Sequence, residues 1–410
     1  NGTGKFPRRP LGLVEPLPGE RTPVTGKAAT AERGAVAERG GDEIRTFRHR
    51  FAERTGRYIN RYGIEPESLR RRIGESAADL ALVTSQMTYW YPGVVEAVDT
   101  VREVLPRIPL AVGGVYASLL PEHCRTATAA DDVITGDNLD SLRSLLERNG
   151  LPVPPGELPG SPAMLPGVWE EAGVLRLNRG CPYRCPYCAS GLIEPGFERG
   201  SAAGLWETLL EMRRRFGTSS FAFYDDALLM DKEEVFVPFL DKVVSSGERV
   251  SFYLPNAVHL RYLDRKTAEL MQRAGFEEIR LGYETADPRS PASTGKYERS
   301  SVPEVIETLR RAGFPRDRII LYLLAGLPGQ QSEEVEESVQ RASRLGTRLS
   351  VAEYSPVPGT ALWPESVAAS PYPIDREPLF QNNSIFPLEW EGFTREDMER
   401  LKRLAREDLR

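Results

Sequence analysis

The sequence has little cysteine and little histidine, four and three residues respectively in a chain of 410. So few cysteines exclude a disulfide-stapled scaffold. No run of 18 apolar residues occurs, so nothing reads as a membrane-spanning helix. No secretory leader is visible. The net charge is −6, so no global basic field recruits nucleic acid. Low-complexity segments are absent, and the 36 Gly and 33 Pro act as punctuation. Hydrophobic residues make up 40% of the chain, enough for proper cores, and the length has room for two or three domains. The chain opens on Asn1 rather than Met, so a preceding segment is allowed for. These exclusions lead to an expectation of a cytoplasmic protein with neither membrane nor nucleic-acid partners.

Three of the four cysteines fall in one octapeptide, Cys181-Pro182-Tyr183-Arg184-Cys185-Pro186-Tyr187-Cys188. The apolar run Gly173–Leu177 before it reads as a buried strand. The thiols therefore sit on the loop leaving that strand's C-terminal end, where function concentrates in α/β barrels. Three thiolates on one loop can hold three irons of a cubane iron–sulfur cluster and leave the fourth open. Structural zinc normally takes four protein ligands, and His49, His123 and His259 are all remote from this loop. The residues favour a cluster, with zinc and inert thiols as the weaker readings. Cys124 reads as a partly buried free thiol.

Residues 1–75 carry little signal, and the basic run Arg45–Arg50 reads as a solvated face. From there, strand runs at Leu80–Thr84, Pro109–Val112 and Asp132–Gly136 alternate with helical patterns. One pattern is Val94, Val95, Val98, Val101 and Leu105, and a second is Leu139–Arg148. This alternation means a Rossmann-like parallel sheet over 1–148, with ligands expected at the carboxyl ends of its strands. Residues 149–166 are a stiff Pro-rich linker.

After the cysteine strand, apolar runs recur near 220–224, 250–254, 278–282, 318–324 and 350–354. With helices between them, they predict a partial (β/α)6 barrel over 167–362. Gly217, Gly275, Gly313 and Gly346 stand where left-handed helix caps are wanted, and Asp264 and Ser332 are candidate N-caps. Residues 363–410 form a C-terminal extension. Thr394 to Asp397 opens a charged terminal helix expected on the surface. Gln381-Asn382-Asn383 is a polar stretch with a possible substrate contact. The fold class is α/β: a Rossmann-like domain, the partial barrel, and a short helical tail.

The Cys-x3-Cys-x2-Cys spacing, with Tyr187 before the third cysteine, resembles the signature of the radical S-adenosylmethionine (radical SAM) superfamily. The resemblance covers roughly residues 170–362. It implies a 4Fe–4S cluster on Cys181, Cys185 and Cys188, with SAM at the open iron. It further implies reductive cleavage of SAM, an electron from a flavodoxin- or ferredoxin-like partner, and a radical on a small-molecule substrate.

Strand ends match further family positions. Tyr187 and Tyr224-Asp225-Asp226 fall at cofactor-facing places, with Asp225 or Asp226 receiving the SAM ammonium. Asn256 would hydrogen-bond SAM or substrate, and Arg280 the SAM carboxylate. Glu284 matches the ribose-binding position, and Gly282 before it allows close backbone approach. Gly326 and Gly329 resemble the adenine-binding turn. Thr294-Gly295-Lys296 follows in an expected active-site loop. No catalytic residue is identified; His259 and Tyr354 are the candidates, each with a structural reading beside it, and Glu353 is a further residue for the substrate side.

The first half resembles the cobalamin-binding domain of one radical SAM subgroup. Ser85, Gly113 and Gly114 match places that accommodate the cobalamin nucleotide tail. The Asp-x-His-x-x-Gly loop whose His ligates cobalt in that fold is absent here. Cobalamin binding and a cofactor-free domain shaping the substrate entrance both stay open. The subgroup resemblance implies cobalamin-dependent C-methylation, with a rearrangement, cyclisation or other group transfer as the alternative.

Overall fold

A computed structural model describes residues 51, 55–56, 63–136, 139–153, 172–287, 289–290 and 302–407. The basic run Arg45–Arg50, the linker beyond Val153 and Thr294-Gly295-Lys296 lie outside the described residues. The chain divides into two compact units, Asn1–Val153 and Pro154–Arg410. Among the described residues no helix is long and apolar enough to cross a membrane.

In the first unit, β1 (Ala81–Ser85), β2 (Leu110–Gly113) and β3 (Asp132–Val133) form a parallel sheet in that order. The helix Tyr91–Val104 makes the first crossover and buries Val94, Val95, Val98 and Val101, the residues whose spacing predicts that face. β3 stops at Val133, three residues short of the apolar run. At the end of β2 the chain turns directly into the helix Gly114–Leu119. Gly114 has φ +83°, and a Cβ there would stand 2.3 Å from Thr84 Oγ1 and 2.7 Å from the Ser85 carbonyl. Only glycine lets β2 leave this tightly against the end of β1.

The second unit holds β4 (Gly173–Leu175), a short antiparallel pair β5 (Arg179–Gly180) and β6 (Phe197–Glu198), then β7 (Ser220–Phe223), β8 (Ser251–Tyr253), β9 (Ile279–Glu284), β10 (Ile319–Ala325) and β11 (Arg348–Glu353). β4, β7 and β8 pair in parallel, as do β9, β10 and β11. Single bridges Phe252↔Phe276 and Val258↔Leu281 join the two groups. Six parallel strands thus follow one another in chain order, a partial barrel.

Five helices follow five of these strands: Ala202–Phe216, Phe236–Ser246, Arg265–Ala274, Val302–Arg311 and Ser332–Ser343. Gly217, Gly275, Gly313 and Gly346 all take positive φ just past their helices. Asp264 caps its helix by accepting from the Thr267 N–H at 2.8 Å. The last of the five corrects the expectation: its cap is Gln331, in a reciprocal box with Glu334, and Ser332 is the first helical residue. Ser332 gives its N–H to the Gly392 carbonyl at 3.0 Å, which satisfies one of the N–H groups that the start of a helix leaves without an acceptor.

The sixth helix comes from the tail. Arg395–Glu407 packs along β11 and the helix Ser332–Ser343. Its Met398, Leu401 and Ala405 are at most 2% exposed and belong to the barrel core. The expectation of a surface helix fails because the apolar residues, though few, recur at three- and four-residue steps and make one buried stripe. The cap foreseen at Thr394 is present: its N–H and hydroxyl both donate to the Asp397 carboxylate, at 3.0 and 2.7 Å.

Strand alternation separates core from lumen. Ile279, Leu281 and Tyr283 of β9 join the core beneath the helices, so Arg280, Gly282 and Glu284 line the opposite face. Phe221, Phe223, Phe236, Phe239, Phe252 and Phe276 fill the core under β7 and β8, with Phe223 stacked on Phe276 at 5.9 Å.

Candidate functional site

The cysteine loop leaves the carboxyl end of β4 and is clasped at its base by β5 and β6. Backbone pairing of β4 with β7 ends where the Tyr224 N–H donates to the Leu175 carbonyl. From there a side chain continues the ladder. The Asp225 carboxylate accepts the N–H groups of Leu177 at 3.0 Å and Asn178 at 2.6 Å. Asp225 is 3% exposed, and burial pushes its carboxyl up to about 6 against the opposing hydrogen bonds from Asn178 and Leu177.

Asn178 is buried too, and its Oδ1 accepts the Gly200 N–H at 3.3 Å, joining the start of the loop to the strand return. Its Nδ2 has no hydrogen-bond partner among the described residues. Arg176 pairs with Glu194, whose Oε2 also accepts the Gly180 N–H at 3.1 Å. Burial opposes the charge on Glu194, but the hydrogen bond and charge of Arg176 outweigh it and hold the carboxyl low.

The thiols differ in setting. Cys185 is buried, Cys181 half-buried and Cys188 exposed. Cys188 Sγ lies 3.2 Å from Ser190 Oγ and accepts the Ser190 N–H at 3.5 Å. The Pro186 carbonyl accepts the Leu362 N–H at 3.0 Å, and Tyr183 and Tyr262 share a hydroxyl hydrogen bond at 2.7 Å. Among the described residues no three His, Cys, Asp or Glu side chains are gathered to hold a metal ion. Cubane thiolates bind separate irons and need not converge on one point. The residues fit such a cluster in their donor chemistry, in the hydrogen bonds on Cys188 and in the spare buried N–H of Asn178.

Tyr187 packs against Leu327, Tyr354, Leu362 and Leu388. Burial, and then the Glu284 carboxylate and Cys185, push its hydroxyl pKa far upward. The structure therefore brings Tyr187 and Glu284 together beside the cysteines. Glu284 has φ +60°, at a point where the β9–β10 register shifts between Tyr322 and Leu323. A non-glycine residue in this region stores strain, and bulges of this kind re-aim side chains at functional sites. Its carboxylate turns back over Gly282.

The other candidates stand within or just past the following strands. Asp226 is exposed, and the exposed Asn256 gives its amide to the Asp225 carbonyl at 3.3 Å. Arg280 pairs with Glu278 at 2.5 Å and donates to the Tyr322 hydroxyl at 3.1 Å. At the expected adenine turn, the N–H groups of Gly326 and Leu327 already donate to Gln330 Oε1, at 2.8 and 3.3 Å.

The two catalytic candidates are both buried. His259 is 8% exposed, edge-on to Tyr183 at 4.7 Å, under the cysteine loop. Tyr354 is 5% exposed and its hydroxyl meets Ser366 Oγ at 3.1 Å. Glu353 pairs with Lys402 of the terminal helix at 2.7 Å, and the buried Gln381 donates to the Ile374 carbonyl at 2.9 Å. Sequence reasoning missed Asn178, Glu194 and Gln330. The one signal for Asn178 is a polar residue at the end of an apolar run, directly before the cysteines.

In the first unit, Ser85 and Gly114 form a bridge at the ends of β1 and β2, with Gly113 adjoining. Ser85 Oγ donates to the Met87 carbonyl at 2.9 Å. A groove of about 670 Å³ in the second unit, lined by Gln331, Glu333, Trp390 and Glu391 among others, includes none of the cysteine-loop residues.

Residues 175–342 match the radical SAM superfamily. That segment, less than half of the chain, holds all three loop cysteines, and it is similar to a superfamily whose fold implies a [4Fe–4S] cluster and SAM. An uncharacterized methyltransferase of Pyrococcus horikoshii is 26% identical over 244 residues, 58% of this chain and 48% of that protein. A PqqA peptide cyclase of Streptomyces rochei is 26% identical over 152 residues, 37% of this chain and 40% of that one. The chain thus spans less than half the length of either curated relative.

Among solved structures, the radical SAM methyltransferase TsrM from Kitasatospora setae, with cobalamin and a [4Fe–4S] cluster bound, superposes with a TM-score of 0.62 at 14% identity. The match covers 75% of this chain and 68% of that one. The same enzyme with tryptophan and a SAM analogue bound gives 0.62 over 80% and 76%. At this identity the likeness is one of fold.

Proposed function

We propose that the chain is a radical SAM enzyme in which Cys181, Cys185 and Cys188 hold the cluster and SAM binds beside it. The observation that carries this is the placement of three thiols on one clasped loop at the carboxyl end of β4, within the matched domain. Bound there, the cluster supplies the electron that cleaves SAM and starts radical chemistry. Tyr187 shields the loop on one side with its ring. The Glu284 carboxylate is the acceptor for the ribose hydroxyls, set by its bulge. Asp226, Asn256 and Arg280 serve the methionyl end, and the turn at Gly326 and Gly329 frames the adenine. The barrel keeps water from the reacting centre.

The reaction we propose is cobalamin-dependent C-methylation of a small molecule. The fold likeness to TsrM and the methyltransferase relative support it, with Ser85, Gly113 and Gly114 as the cobalamin-tail contacts. A cyclisation or other cobalamin-independent outcome is the second reading, supported by the peptide cyclase relative. The electron comes from a flavodoxin- or ferredoxin-like reductant in the cytoplasm. Anaerobic incubation with SAM and reductant tests the radical step through 5′-deoxyadenosine. Methylated product with S-adenosylhomocysteine tests methyl transfer. A Cys185→Ala chain that cleaves SAM like the parent overturns the cluster assignment. A chain expressed with cobalamin that purifies without corrinoid leaves the second reading.

A further inference from the structure

The cysteine segment is an excursion that leaves the barrel after Leu177 and returns at Gly200. Two buried side chains close its base. Asp225, just past β7, holds the N–H groups of Leu177 and Asn178, and Asn178 holds the N–H of Gly200. The closure is tight, since a Cβ at Gly200 would stand 1.8 Å from the Leu177 carbonyl oxygen. The backbone pairing of β4 with β7 stops at Leu175, and the Asp225 carboxylate takes up the N–H groups that follow, above the Arg176–Glu194 pair and the β5–β6 clasp. We propose that Asp225 is a positioning residue for the cluster: through the Leu177 and Asn178 amides it fixes where the loop departs, and hence where the three thiols are presented. This rests on the cluster reading above.

The role needs a carboxylate. Oδ1 accepts both N–H groups, at 3.1 and 2.6 Å, while Oδ2 takes a second contact to the Leu177 N–H at 3.0 Å, and the charge strengthens all three. An amide in its place can keep the shared oxygen, but it loses the charge and turns an N–H₂ toward the Leu177 N–H.

The test uses the parent and Asp225→Asn, reconstituted anaerobically with iron and sulfide. Bound iron, iron release to a chelator, the EPR spectrum of the reduced cluster and thermal melting are measured. At the pH where the two chains melt together, Asp225→Asn is expected to release iron about tenfold faster, the usual cost of losing a group that orients metal ligands. A purely structural role would move the melting and leave the iron release rate and EPR spectrum alone. A variant as retentive as an iron-loaded parent overturns the positioning role and leaves the cluster reading standing. A parent that takes up no iron overturns both. Should Asp225→Asn fail to fold, amide exchange at Leu177 and Asn178 in the parent decides. Slow exchange supports the clamp, and exchange at the rate of an open loop overturns it.

Discussion

The Glu284 carboxylate lies so close over Gly282 that a methyl group on Gly282 would stand 2.9 Å from Glu284 Oε1. The backbone at Gly282 itself is not left-handed, so alanine costs no strain there. Gly282→Ala should therefore displace the carboxylate and leave the fold intact. If Glu284 binds the ribose, losing one charge-assisted hydrogen bond of about 1.5 kcal/mol weakens SAM binding about tenfold. Titration of SAM into the iron-loaded variant measures this. Unchanged affinity would remove Glu284 from the SAM site.

Cys124 is expected to stand apart from the other three cysteines. It is fully buried in the helix Pro121–Ala127 of the first unit. Burial pushes its thiol up to about 11, against the Thr128 hydrogen bond and the Arg125 charge, so it stays protonated at neutral pH. Cys124→Ala should keep the parent's iron and sulfide content, while alanine at Cys181, Cys185 or Cys188 should lose it. Iron analysis after anaerobic reconstitution distinguishes the two groups.

Asp225 sets a pH dependence of opposite sign to that of a paired surface carboxylate. Its folded value is raised from 3.8 to about 6, chiefly by burial. Between those values the folded chain holds the proton that the unfolded chain has released. Its contribution is therefore fully present at low pH and is lost as pH rises through about 6. Relative to Asp225→Asn, the parent should lose on the order of 2–3 kcal/mol of stability between about pH 4 and pH 7. Urea unfolding of both chains at the two pH values reads the difference. A gap independent of pH refutes the shift.

The terminal helix is part of the barrel rather than an appendage. Leu401 is 0% exposed within the main core. Leu401→Ala should cost about 2–5 kcal/mol by the usual cavity effect. Arg403 on the exposed side of the same helix should tolerate alanine within about 0.5 kcal/mol. Denaturant midpoints of the two variants check the pair, and equal midpoints would place the helix outside the core.

What the sequence determined by itself is what local chemistry dictates. The apolar runs place the strands to within a few residues. Glycines at 217, 275, 313 and 346 end helices because a left-handed residue is cheapest there. The three cysteines on one loop favour a cluster over zinc by their number and spacing. Tertiary structure decided where the polar side chains of the strand ends point. Asp225 finds its donors 48 and 47 residues earlier in the chain. Glu284 is aimed by a bulge that exists only because β9 pairs with β10. His259 and Tyr354 are of catalytic residue types, yet one lies under Tyr183 and the other against Ser366. A side chain's partner is fixed by which strands become neighbours, and that depends on contacts far apart in the chain. The same holds for the terminal helix, whose few apolar residues acquire their meaning from the open edge of β11 that they cover.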